Sequence, residues 1–157
     1  MLAAFFLIFL SHKANILIDQ NGHACLADFG LITVISDPKY ATAPSTKKNA
    51  GTVSHMSPEL LHPQEYNLEG SQPTKESDYY ALGMVIFEVL SGQHPFADDQ
   101  WFVIMLKVTQ GKHPERPGSP LFTDDLWKIL EQCWSPQPKN RPTSQDVLNF
   151  LEQAQIG

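Results

Sequence analysis

The chain has 157 residues, and its 11 Lys and Arg residues against 17 Asp and Glu residues give a formal net charge of −6 at pH 7. This length fits one domain with a sizeable core, and the acidic balance argues against binding to nucleic acid or to an anionic membrane surface. Cys25 and Cys133 are too few and too far apart for a disulfide framework or a zinc site, which favours a reducing, cytoplasmic compartment.

The N-terminal stretch from Met1 to Leu10 is continuously apolar. It is too short to span a bilayer, since a transmembrane helix takes about 20 apolar residues. It also lacks the basic start and the clear cleavage site of a signal peptide. Two interpretations stay open: a targeting or membrane-associated segment, or a stretch that stands in place of other sequence. We assign residues 1–11 to this segment and residues 12–153 to the folded domain.

Two short apolar runs, 16–18 and 24–27, flank an Asn21-Gly22 pair. Asn-Gly between apolar runs predicts a tight β-hairpin turn. Asn15 stands at the entrance of this ribbon and Asp28 at its exit. An amide and a carboxylate held together in this way form an oxygen site that suits Mg2+.

The rest of the chain predicts a helical body, so the expected architecture is mainly α. The first long helix begins at the N-cap Thr74, ends at Ser91-Gly92 and has apolar residues on nearly every face, which predicts burial on all sides. A second helix is expected to start at Asp98-Asp99. Its Trp101 and Phe102 are interpreted as core residues, with partner docking as the alternative.

Two further helices are predicted after Thr123 and Thr143. The last one is expected to pack through Val147, Leu148, Phe150 and Leu151. Histidines His62, His94 and His113 form no His-x-x-x-His spacing, which argues against a histidine metal site.

Four motifs together resemble the protein kinase superfamily, of the tyrosine-kinase-like or Ser/Thr type. Asn15 with Asp28-Phe29-Gly30 resembles the end of the catalytic loop and the metal motif. Met56-Ser57-Pro58-Glu59 resembles the Ala-Pro-Glu motif, the stretch 77–83 resembles the start of the central helix, and Asn140-Arg141-Pro142-Thr143 resembles the late Arg motif. The resemblance covers the C-terminal (large) lobe only, with the N-lobe absent from the sequence.

The resemblance implies roles for individual residues. Asn15, Asp28, Phe29 and Gly30 are the expected contacts to ATP, and Asn15 and Asp28 are the expected ligands of Mg2+. Glu59 is expected to form a buried bidentate ion pair with Arg141. Asp78 is expected to brace the catalytic loop, with an ordinary helix-start carboxylate as the alternative. His55 stands where the related pattern often has Trp.

Several catalytic features of the family are missing. The position of the general base, five residues before Asn15, is Leu10, and the position of the catalytic-loop Lys is His12. No Gly-x-Gly-x-x-Gly and no Val-Ala-Ile-Lys strand occurs in the chain. We therefore expect no retained catalytic base and no phosphoryl transfer by the isolated chain.

The polar stretch 36–50 predicts an exposed loop in the place of an activation segment. It carries candidate phosphorylation sites beside two lysines, so a phosphate could order the loop. An unmodified surface loop is the equal alternative. The candidate hydroxyls are those of Tyr40, Thr42, Ser45 and Thr46.

Three hypotheses on function remain open. The chain is a kinase large lobe that keeps contacts to ATP and Mg2+, a pseudokinase or interaction module without catalysis, or a fragment whose start has been replaced. In each case the expected partner is a protein, either substrate or binding partner.

Overall fold

The computed structural model describes residues 16–26 and 53–154. Within these ranges the chain forms a two-stranded hairpin and a helical body, so the mainly α prediction is confirmed. No helix in the described ranges has the length and apolar character needed to cross a membrane. The strands are β1 (Ile16–Ile18) and β2 (Ala24–Leu26). The helices are α1 (Pro58–Leu61), α2 (Lys75–Ser91), α3 (Trp101–Thr109), α4 (Asp124–Cys133) and α5 (Ser144–Gln153), with 3-10 turns at Pro63–Tyr66 and Pro138–Asn140.

The hairpin is confirmed, with β1 and β2 antiparallel and Ile16 paired with Leu26. Its connection is longer than a two-residue Asn-Gly turn. The N–H of Asp19 donates to the carbonyl of His23 at 2.9 Å, and the N–H of Gly22 donates to the carbonyl of Asp19 at 3.0 Å. Gly22 has φ 84°, so it takes the left-handed position of a three-residue hairpin loop. Within this loop, Gly22 is the residue whose left-handed backbone conformation favours glycine.

Helix α2 has the ends that the sequence predicts. Thr74 and Ser77 form a capping box, in which the Ser77 N–H donates to Thr74 Oγ1 at 3.2 Å and the Thr74 N–H donates to Ser77 Oγ at 3.0 Å. At the other end Gly92 has φ 69° and closes the helix through its N–H to the Glu88 carbonyl. Burial extends over most faces of the helix, although Val89 is exposed.

The core forms where α4 packs against α2. The contact is close at Gly83, where a Cβ atom would lie 2.7 Å from Cβ of Cys133 and 2.8 Å from Nε1 of Trp134. Aromatic rings fill the space beside this contact, with Phe87 and Trp134 centroids 6.2 Å apart and Trp127 and Trp134 centroids 5.5 Å apart. Burial in this core raises the pKa of the Cys133 thiol to about 12.

The structure corrects three expectations about the later helices. Helix α3 begins at Trp101, because the first helical hydrogen bonds run to the carbonyl of Gln100, whereas Asp99 closes a separate turn onto Phe96. The core interpretation of Trp101 and Phe102 is wrong: they are 37% and 57% exposed, since α3 turns Ile104 and Val108 inward. In α5, Leu148 is likewise exposed. Val147 is buried, and Phe150 and Leu151 pack against the core.

Candidate functional site

All residues of the predicted nucleotide site lie outside the described ranges. These are Asn15, Asp28, Phe29 and Gly30, together with Leu10 at the position of the missing base. The candidate phosphorylation sites Tyr40, Thr42, Ser45 and Thr46 also lie outside them. Their roles therefore stay predictions. The described part of this region is the β-ribbon that separates Asn15 from Asp28 in the sequence.

The turn of this ribbon is held by Asp19. Its Oδ1 atom accepts hydrogen bonds from the backbone N–H groups of Asn21 at 2.8 Å and His23 at 2.9 Å. Chiefly the hydrogen bond from the His23 backbone lowers the pKa of the Asp19 carboxyl. Asp19 thus supplies acceptors that fix the loop, and its ionised form is the one that the folded hairpin favours.

The second described part of the candidate site is the segment from Val53 to Leu61, which contains the Met-Ser-Pro-Glu motif. Ser57 is extended and precedes α1, and Pro58 occupies the first helical turn, where its missing N–H costs nothing. Most of the segment is buried. The buried residues are Val53, Ser54, His55, Ser57, Pro58 and Glu59. The segment is therefore anchored in the helical body rather than lying on its surface.

The anchor is the expected ion pair between Glu59 and Arg141, which is present and buried. Arg141 Nη1 donates to Glu59 Oε1 at 2.6 Å, and Nη2 donates to Oε2 at 2.7 Å. The guanidinium also donates to two backbone carbonyls, that of Glu76 at 2.8 Å and that of Ser135 at 3.0 Å. Both side chains are almost fully buried, at 0% and 2% exposure. Such a fork-to-fork arrangement satisfies a buried carboxylate with charge-assisted bonds.

Tyr80 of α2 completes the surroundings of the ion pair. The Arg141 guanidinium lies 5.2 Å from the centroid of the Tyr80 ring, within the range of a cation–π contact. Burial raises the pKa of the Tyr80 hydroxyl. Arg141 thereby joins the Glu59 segment, the start of α2 and the turn before α5. These contacts connect parts of the fold, and they point the guanidinium into the interior of the helical body rather than towards a substrate.

Asp78 lies in the first turn of α2 and is half-buried. An acidic residue at this place is stabilised by the helix dipole. The catalytic-loop backbone that Asp78 is expected to brace lies outside the described residues. The bracing role consequently stays a prediction.

Sequence reasoning missed one grouping of polar side chains, His55, Glu88 and His94. Their ligand-type atoms all lie within 4.8 Å of one another. His55 is distant in the sequence from Glu88 and His94, and these two lie on either side of the end of α2, so no regular ligand spacing reveals the group. The available signal was Glu88, a carboxylate in the buried part of an otherwise apolar helix.

Comparison with known proteins finds one matching family model and several similar proteins. A family model described as protein kinase domain matches residues 12–151. The dual specificity protein kinase shkC of Dictyostelium discoideum is 30% identical over 141 residues, which cover 89% of this chain and 26% of that protein. Receptor-interacting serine/threonine-protein kinase 3 of Rattus norvegicus is 30% identical over 141 residues, covering 85% of this chain and 28% of that protein. The cytoplasmic tyrosine-protein kinase BMX of Homo sapiens is 31% identical over 139 residues, covering 88% and 19%.

Proposed function

The chain belongs to the protein kinase family, and from this membership we propose that it forms a kinase large lobe whose Asn15 and Asp28 bind Mg2+ and the phosphates of ATP. Bound Mg2+ supplies positive charge that neutralises phosphate oxygens. The amide of Asn15 and the carboxylate of Asp28 supply the hard oxygen ligands that this ion prefers. Because the chain spans only 26% and 28% of two of its relatives, the activity of a whole protein of this kind is part of the proposal.

The hairpin supports this proposal through chain connectivity. Asn15 comes one residue before Ile16, Asp28 comes two residues after Leu26, and Ile16 pairs with Leu26 across the ribbon. This connectivity is the reason that we propose one shared ion for Asn15 and Asp28.

The observation that carries the large-lobe part of the proposal is the buried bidentate pair of Glu59 and Arg141. It ties the segment with the Met-Ser-Pro-Glu motif to the helical body at the two positions where the family resemblance requires a carboxylate and a guanidinium. Catalysis of phosphoryl transfer depends on positioning, and a fixed segment end provides a rigid support for a protein substrate.

We further propose that the chain alone does not transfer phosphate at the rate of a kinase. Leu10 stands at the position of the base, and an aliphatic side chain cannot accept a proton or orient an attacking hydroxyl. The relatives include Ser/Thr, tyrosine and dual specificity kinases. The substrate class in our proposal is accordingly a hydroxyl group of a protein side chain.

The test is a pair of measurements on the full chain with Asp28→Asn and the matched control Asp125→Asn. Both substitutions remove one negative charge, and Asp125 is exposed in the first turn of α4. We expect Mg-ATP to raise the melting temperature of the unchanged chain and of Asp125→Asn but not of Asp28→Asn. We also expect no transfer of labelled phosphate to a generic protein substrate. Transfer that Asp28→Asn abolishes would contradict the inactivity, and the absence of any shift would contradict nucleotide binding.

A second candidate function is that of an interaction module without catalysis. It is favoured by the exposed side of α3, where Phe102 and Leu106 are 57% and 58% exposed next to Trp101. Large apolar side chains grouped on a surface are typical of binding sites for other proteins. An absence of stabilisation by Mg-ATP in the preceding experiment would favour this function over the first.

A further inference from the structure

Three segments of the helical body meet at a buried cluster of possible metal ligands. His55 comes from the segment before α1, Glu88 from the last part of α2, and His94 from the loop that follows α2. His55 Nε2 lies 3.3 Å from Glu88 Oε2, and these two side chains are 0% and 2% exposed. One ring nitrogen of His94 completes a set in which every pair of ligand atoms lies within 4.8 Å.

A hydroxyl group behind the cluster orients both imidazole rings. Ser54 Oγ lies 3.0 Å from Nδ1 of His55 and 3.3 Å from Nδ1 of His94. The carbonyl of Pro95 lies 3.2 Å from the same Nδ1 of His94. A carbonyl can only accept, so it favours the tautomer that carries the proton on Nδ1 and the lone pair on Nε2. Metal-binding histidines are held in this way by backbone carbonyls and side-chain oxygens.

We propose that His55, Glu88 and His94 bind a Zn2+ ion through Nε2 of the two histidines and a carboxylate oxygen of Glu88. A separation of about 3.3 Å between two ligand atoms is the edge of a tetrahedron with metal–ligand distances near 2.0 Å. Two imidazoles and one carboxylate suit Zn2+, whereas Mg2+ prefers a shell of oxygen ligands. The ion would be separate from the Mg2+ proposed at Asn15 and Asp28.

His94 is the member of the cluster that borders solvent. His94 is half-buried and lines an open cleft of about 480 Å3, whose walls also include Phe87, Phe96 and Lys107. Zinc sites with three protein ligands take a water molecule as the fourth ligand, and the proposed site would take it from the side of His94. Bound Zn2+ would join the segment before α1 to α2 and to the loop after α2. It would thus add a second clamp on the segment that Glu59 and Arg141 already anchor.

The experiment measures the thermal unfolding of the full chain, freed of metal by a chelator, with ZnCl2 or with MgCl2. Free Zn2+ at 100 times its dissociation constant is expected to raise the melting temperature by about 5–10 °C, and MgCl2 is expected to have no comparable effect. Co2+ serves as a spectroscopic substitute for Zn2+. It is expected to give the intense visible bands of a four-coordinate ion.

The variants are His94→Gln and the matched control His62→Gln. His94 borders the cleft, so its substitution disturbs packing less than that of His55, and His62 is an exposed histidine outside the cluster, with a side chain 47% exposed. His94→Gln is expected to weaken Zn2+ binding at least about 100-fold, more than the loss of a supporting residue around a metal typically costs. His62→Gln is expected to bind Zn2+ as the unchanged chain does.

Two results would overturn the proposal. Zn2+ stabilisation of the same size in His94→Gln would assign the effect to other residues. A Co2+ spectrum of the unchanged chain that contains only the weak bands of six-coordinate aqueous Co2+ would also overturn the proposal. This measurement does not depend on the folding of any variant. In either case the cluster is a contact between the side chains of His55 and Glu88, supported by hydrogen bonds, and not a metal site.

Discussion

Replacing Arg141 by glutamine removes the countercharge of a carboxylate that has almost no contact with water. Glu59 is 2% exposed and receives two charge-assisted bonds from Arg141. Leaving such a charge buried without its partner costs about 3–5 kcal/mol. The total free energy of unfolding of a domain is about 5–15 kcal/mol, so Arg141→Gln is expected to remove a large part of it.

Urea unfolding followed by circular dichroism measures this loss. With an m-value of about 2 kcal/mol per M, the expected shift of the midpoint is about 1.5–2.5 M to lower urea. Lys139→Gln is the matched control, because it removes an exposed cation close to Arg141 in the sequence, and its effect should stay within about 0.5 kcal/mol. The double variant Glu59→Gln with Arg141→Gln should lose less stability than the sum of the two single variants. A loss below about 1 kcal/mol in Arg141→Gln, or strict additivity in the double variant, would refute the reasoning.

Three further predictions concern the helical body. Gly83→Ala should destabilise the chain by about 1–3 kcal/mol in urea unfolding, because the new Cβ atom would overlap Cβ of Cys133. The control Gly118→Ala, whose Cβ atom would meet nothing within 4 Å, should change stability by less than about 0.5 kcal/mol. Equal effects of the two substitutions would contradict the close packing at Gly83. The free energy of unfolding should fall by up to about 1.4 kcal/mol per pH unit as the pH rises above 9. The reason is that the Cys133 thiol loses its proton near pH 9.0 in the unfolded chain, but only near a pKa of about 12 in the folded chain. If Cys133→Ala showed the same dependence of unfolding free energy on pH, this explanation would be contradicted. Thr74→Ala should cost about 1 kcal/mol in thermal unfolding through loss of the cap on α2, and an unchanged melting temperature would contradict the capping role.

The sequence predicted what local chemistry decides. The Asn21-Gly22 pair predicted the hairpin, and Thr74 and Gly92 predicted the ends of α2, because capping and left-handed turns depend on residues within one turn of each other. The start of α3 was predicted too early. Asp98 and Asp99 have the composition of a first helical turn, but the chain reverses between Phe96 and Asp99 before the helix begins.

The family resemblance predicted one contact between distant residues, Glu59 with Arg141, which composition and periodicity alone do not contain. The side of each helix that faces the core was less predictable. Trp101, Phe102 and Leu148 are as apolar as their buried neighbours, yet they are exposed, because the crossing of helices decides which apolar side is covered.

By itself, the sequence determined the hairpin, the four longer helices, most of their ends and the family, since these depend on neighbouring residues and on motifs in order. Apart from the pair of Glu59 and Arg141, which the family resemblance predicted, only the tertiary structure decided which residues from different segments meet. His55, Glu88 and His94 come together because α2 brings the Glu88 carboxylate beside the segment before α1. The chain then turns after Gly92, which brings His94 to the same place. Such a meeting depends on how rigid elements pack in three dimensions, and no spacing along the chain encodes it.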